Sequence, residues 1–154
     1  LRRYAFFFIS TCLKGEEFVS RQIFINLPVQ DLSKATAFYT AIGAGKNPQF
    51  SDDTSSCMVL SDTLFVMLMT REKWTHFTKK PIADARRESE VMLALSAEDR
   101  DSVDRMTEAA GAHGGTADVN AKQDLGFMYG RSFEDPDGHI WEVIFVDMSQ
   151  MPQQ

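Results

Sequence analysis

One carboxylate stands inside an otherwise apolar strand. In SFEDPDGHIWEVIFVD, residues 132–147, counting by twos puts Trp141, Val143 and Phe145 on one face. Ile140, Glu142, Ile144 and Val146 fall on the other. Burying an unpaired carboxylate is costly, so Glu142 is expected to bind something or find a partner. Gln22, Asn26 and Glu90 take the matching parity in two earlier strand-like segments, which offers a carboxamide-plus-carboxylate set with Glu142. Tyr129 and Arg131 alternate together on the strand before that of Glu142, and are counted with it as recognisers of an anionic or planar ligand. The three histidines give a weaker signal. His76 falls in a connector, His113 at a helix exit and His139 just past a turn with parity opposite to Glu142, so all three read as surface or capping residues. Cys12 and Cys57 belong to no CxxC or Cys/His spacing. They read as free thiols of a reducing compartment, which makes the expected location cytoplasmic.

The elements that must position these groups belong to a chain of 154 residues, 44% apolar and 25% charged. That length suits one domain or two small fused units. A net charge of −6 argues against nucleic acid or an anionic membrane surface as partner, since both demand basic surface. The start is unlike the rest. Residues 1–17 carry two arginines and an apolar run at 4–9, too short for the roughly 20 residues of a membrane span. They are expected to be an accessory leader outside the fold.

From residue 21 the pattern is regular. Residues 21–29 alternate as a strand, and 31–45 carry Leu32, Ala35, Phe38, Tyr39 and Ile42 at helical spacing after Asp31, an N-cap candidate. Strand-like pieces follow around 47–51, 55–60 and 63–69, the last two joined by a tight turn at 61–63. After a charged connector at 71–88 the order restarts, with a strand at 89–96, a helix at 97–112 and strands ending at 126–133 and 139–146. Ser96 and Asp99 have capping-box spacing at the helix entry. Adding 68 maps Leu27 to Leu95, Asp31 to Asp99, Phe38 to Met106 and Gly43 to Gly111. The expected fold is therefore α+β, with two βαβββ units forming curved mixed sheets around a cleft. The first unit spans 18–70, the connector 71–88, the second unit 89–148 and a tail 149–154.

The helix entry NLPVQDLSKATAFYTAIG and the final SFEDPDGHIWEVIF resemble the glyoxalase/bleomycin-resistance/extradiol dioxygenase superfamily, within it the small bacterial lactoylglutathione-lyase-like proteins. The resemblance covers about residues 18–148. Enzymes of that superfamily hold a divalent metal through His, Gln and Glu donors from the first and fourth strands of each unit. Carried onto this chain, those positions fall at Phe24, Met67, Met92 and Glu142, so Glu142 alone keeps a family ligand. Phenylalanine cannot ligate, and thioethers suit soft copper(I) rather than zinc, nickel or iron. No metal or other cofactor is expected. The resemblance implies a protein that binds a small, partly apolar molecule in the sheet cleft, and a homodimer. A metal-dependent lyase, isomerase or dioxygenase is the alternative. The cleft set is Glu142, Phe24, Met67, Met92, Gln22, Asn26, Glu90, Tyr129 and Arg131.

Overall fold

The computed structural model describes residues 21–151. The leader expected at 1–17, Cys12 within it, and the last three residues lie outside the described residues. In chain order the elements are β1 (Ile23–Val29), α1 (Leu32–Ala41), β2 (Gly45–Asn47), β3 (Ser55–Val59), β4 (Leu64–Thr70), a single turn α2 (Arg71–Trp74), β5 (Met92–Ser96), α3 (Arg100–Ala112), β6 (Thr116–Ala117), β7 (Gln123–Asp124), β8 (Met128–Glu134) and β9 (Ile140–Val146). They form two mixed sheets ordered β1-β4-β3-β2 and β5-β9-β8-β6, with β7 added on β8. In each sheet the first strand of a unit pairs in parallel with its last strand, β1 with β4 and β5 with β9. The architecture is α+β and repeats within the chain.

The same local chemistry starts both helices. Asp31 Oδ1 accepts from the Lys34 amide at 3.0 Å and Asp99 Oδ1 from the Ser102 amide at 2.6 Å, each satisfying a donor the helix itself leaves open. Asp99 is thus the N-cap of α3. Ser96, which capping-box spacing puts there, instead ends β5. The strand expected at 47–51 is also displaced. The extended segment is β2 at Gly45–Asn47, and Pro48 opens a 3-10 turn that the Asn47 side chain caps by accepting from the Gln49 amide.

One core serves both units. Leu27 and Val29 of β1, Val66 and Leu68 of β4 and Met58 of β3 meet Ala35, Phe38 and Tyr39 of α1. The same cluster takes in Val103 and Ala110 of α3, Tyr129 and Phe133 of β8, and Trp141 and Val143 of β9. Each sheet therefore turns one face to the shared helical core. Its other face, which carries Phe24, Asn26, Phe65 and Met67 in the first sheet and Met92, Glu142 and Ile144 in the second, meets neither long helix.

The turn Asp135-Pro136-Asp137-Gly138 clasps the two units. Asp135 Oδ1 accepts from the amides of Asp137 and His139, both at 2.9 Å, and Oδ2 accepts from the Tyr39 hydroxyl of α1 at 2.9 Å. The Trp141 indole N–H donates to the same hydroxyl oxygen at 3.0 Å. Asp137 receives the Gln30 amide, and the His139 Nε2 lies 3.2 Å from the Pro28 carbonyl. Gly138 sits at φ +97°, and a Cβ there would lie 2.7 Å from the Arg86 nitrogen of the connector. Burial holds the Asp135 carboxyl above the usual carboxylate range, against the pull of His139 and of its hydrogen bonds.

Candidate functional site

The pairing register fixes which side chains share the open face of the second sheet. Glu142 on β9 is flanked by Ala94 of β5 and Ser132 of β8, and the next pairs are Met92 with Ile140 and Gly130 with Ile144. With Met128 and the residues Asn120, Ala121 and Gln123 of the segment leading into β7, these groups line a concavity. It holds about 30 Å³, the room of a head group rather than of a whole molecule. Its residues from β5, β8 and β9 are apolar apart from Glu142, Ser132 and Arg131. The Ser132 hydroxyl is already engaged, accepting from the Asn120 amide at 2.8 Å.

Met92 bounds this concavity, and its register partner Ile140 lines a second, larger one of about 430 Å³. The larger cavity lies between the end of β1, the start of β9 and the connector. Its walls include Asn26 and Pro28 of the first unit, Glu90 and Val91 of the second, and Trp74 and Ile82 above. A strip therefore runs from Glu142 past Met92 and Ile140 to Asn26.

The structure thus sorts the nine residues read from sequence into five groups. Glu142 and Met92 line one concavity together, and Asn26 and Glu90 line the other. Phe24 stacks on Phe65 of β4 at 4.8 Å between ring centroids, with Met67 two residues further along the same face. Neither Phe24 nor Met67 lines the Glu142 concavity. Gln22 precedes β1, and its amide donates to the Asp62 carbonyl.

Tyr129 does not border the Glu142 concavity and Arg131 does, but both residues have their side chains engaged elsewhere. They pair with Phe145 and Val143, so their side chains go to the helix-bearing face. There the Tyr129 hydroxyl donates to Asp104 of α3 at 2.7 Å, and the Arg131 guanidinium contacts Asp104 at 2.8 Å and Asp118 at 2.9 and 2.7 Å. Hydrogen bonds from Arg131 hold both aspartates below the usual carboxylate range. The five-residue connection 135–139 pairs Glu134 with Ile140 and so brings Ser132, rather than the Tyr129 or Arg131 side chain, beside Glu142.

These side chains also hold the segment that rims the concavity. Arg131 grips Asp118, while Arg100 of α3 makes two bonds to Asp124, at 2.7 and 2.9 Å, and a third to the Gly126 carbonyl. Lys122 and Arg100 lie over the Tyr129 ring at 4.7 and 4.8 Å. Between these anchors Asn120, Ala121 and Gln123 turn to the Glu142 side. Sequence reasoning missed Asn120, Gln123 and Ser132 as lining residues. Ser132 could have been found by counting across the turn; the other two belong to a segment without periodicity.

The four positions that resemblance assigns to a metal occupy equivalent places in the two sheets. Phe24 faces Phe65 in register, with Met67 two residues on. Met92 faces Ile140, with Glu142 two residues on. Their chemistry does not fit a divalent transition metal, since one carboxylate, one phenyl ring and two thioethers replace a nitrogen and oxygen set. Among the described residues no three His, Cys, Asp or Glu side chains cluster so as to hold a metal ion.

Two sheets of equivalent strand order, each with a helix on one face and an open face opposite, define a paired βαβββ protein. The family model of the Glyoxalase/Bleomycin resistance protein/Dioxygenase superfamily matches residues 21–143, and the chain belongs to that superfamily. Among solved structures, a hypothetical protein from S. aureus is similar, with 24% identity, a TM-score of 0.69, and coverage of 84% of this chain and 95% of that one. A glyoxalase-related enzyme from Fulvimarina pelagi aligns at 20% identity and a TM-score of 0.67, over 82% of this chain and 88% of its own. The fosfomycin resistance protein FosX from Listeria monocytogenes aligns at 23% identity and a TM-score of 0.60, over 89% and 97%. At these identities the likeness is one of fold. No curated protein matches the chain.

Proposed function

We propose that this protein binds a small, partly apolar molecule along the strip from Glu142 to Asn26, without a catalytic metal. The observation that carries the reading is the side-chain chemistry at the four equivalent positions, Phe24, Met67, Met92 and Glu142. Three of the four are apolar or softly polarizable. Methionine faces adapt to ligand shape, and the 430 Å³ cavity beside Met92 and Ile140 gives an apolar body room.

A homodimer belongs to the same proposal. Ile23 and Phe24 are 56% and 50% exposed on the edge strand of the first sheet. Their repeat equivalents Val91 and Met92, at the edge of the second, are 51% and 46% exposed. Apolar groups at matching places on two edges favour coverage by a second copy of the chain. No helix among the described residues is long and apolar enough to cross a membrane. The cytoplasmic location is supported by thiol usage, with Cys57 free and buried.

The experiment is a small-molecule screen read by NMR on the methyl groups of Met92 and Met128. Compounds that shift these signals and saturate support the reading. A broad library of small apolar and mixed compounds that leaves both methyls unmoved would sink it.

A further inference from the structure

We propose that the Glu142 concavity selects a cationic, hydrogen-bond-donating head group, so that the ligand class is a small organic amine with an apolar body. The inference rests on the binding function proposed above and names what the site takes. It starts from the signs of the charges. The open face of the second sheet is built by Met92, Ala94 and Ser96 of β5, Ile140, Glu142, Ile144 and Val146 of β9, and Met128, Gly130, Ser132 and Glu134 of β8. Its two charged residues are both carboxylates.

The nearby cations are turned away. Arg131 is committed to Asp104 and Asp118 on the helix side, Arg100 to Asp124, and Lys122 lies over the Tyr129 ring. Arg131 borders the concavity, but its guanidinium is already paired, so among the described residues an anionic ligand would meet no unpaired cation at this face. Glu142 itself is half-buried between Ala94 and Ser132, and no ion pair among the described residues involves it. A carboxylate so placed gains most from a donor that brings its own charge.

The shape agrees with the charge. The concavity of about 30 Å³ has room for an ammonium group. The carboxamides of Asn120 and Gln123 line its rim and can accept the remaining N–H bonds. The methionines at its mouth, Met92 and Met128, lead the rest of the molecule toward Ile140 and the larger cavity.

The test uses three probes of similar size, benzylammonium, benzyl alcohol and benzoate, titrated into the intact protein. Affinity is measured by calorimetry, and location by the methyl shifts of Met92 and Met128. Benzylammonium is expected to bind about ten times more tightly than benzyl alcohol, the effect of one charge-assisted hydrogen bond. Benzoate is expected to bind most weakly. Glu142→Gln should remove the preference for the ammonium over the alcohol, with circular dichroism showing that the variant is folded. Equal affinity for ammonium and alcohol, or tighter binding of benzoate, overturns the head-group assignment and leaves the binding site standing. Failure of all three probes to move the methionine methyls counts against the site itself.

Discussion

Replacing Tyr39 by Phe should destabilise the protein by about 3 kcal/mol at pH 8, and by less at pH 4.5. The hydroxyl donates to Asp135 Oδ2 at 2.9 Å and accepts from the Trp141 indole at 3.0 Å, with Tyr39, Trp141 and Asp135 0%, 1% and 3% exposed. Removing it leaves a buried N–H and a buried carboxylate oxygen short of partners. Each such loss costs roughly 1 to 3 kcal/mol, against a total stability of about 5 to 15. The pH dependence follows from Asp135, whose folded-state pKa is raised chiefly by burial and held back in part by the Tyr39 hydrogen bond. A carboxyl with a raised folded pKa binds its proton more tightly in the native state. Stability is therefore fullest below the unfolded value, near 3.9, and is lost as pH rises through the folded value. Without the hydroxyl that folded value climbs further, so the variant loses more on going from acid to neutral pH. Urea unfolding followed by circular dichroism, at fixed protein concentration and at both pH values, measures the two differences. A penalty under 0.5 kcal/mol on the scale of an ordinary surface substitution, or one that shrinks as pH rises, would refute the clasp.

Other positions give shorter tests. Gly138→Ala should cost about 1 to 3 kcal/mol in the same assay, because φ +97° strains an L side chain and its Cβ would crowd Arg86. Arg131→Met should cost about 2 kcal/mol at pH 7 and progressively less below pH 4. The lowered pKa values of Asp104 and Asp118 give stability that is present above the unfolded carboxylate value and lost as pH falls through the folded ones. Hydrogen exchange at the Asn120 amide should quicken in the same variant, because Arg131 anchors the segment that presents it. Sedimentation at micromolar concentration should show a dimer, and Phe24→Glu with Met92→Glu should yield monomer.

The alternation of β1, β4 and β9 was legible in the sequence because each packs one face on the helical core and leaves the other without a helix. The repeat was legible through Asp31 and Asp99, whose capping chemistry is local and tolerates the divergence of the helices that follow. The place of Glu142 on the open face needed only parity. Where the Tyr129 and Arg131 side chains go needed register between strands. Tyr129 and Arg131 look equivalent to any alternate pair until the 135–139 connection fixes Ser132 beside Glu142. Asn120 and Gln123 were illegible for another reason. β7 has two residues, and the path of its approach is set by ion pairs to α3 and β8 that no periodic pattern records. The role of the Asp135 turn was also hidden, because its partner Tyr39 is 96 residues away.

On the function proposed above, the metal-ligand positions of this superfamily form an apolar ligand surface with one carboxylate in this chain. Elemental analysis of the purified, unmodified protein tests it most directly. The side chains at Phe24, Met67, Met92 and Glu142 predict no stoichiometric zinc, nickel, iron or manganese, since a site of that kind needs about three protein donors. About one tightly held transition metal per chain, on the scale of a filled catalytic site, would contradict it and favour the metal-dependent enzyme.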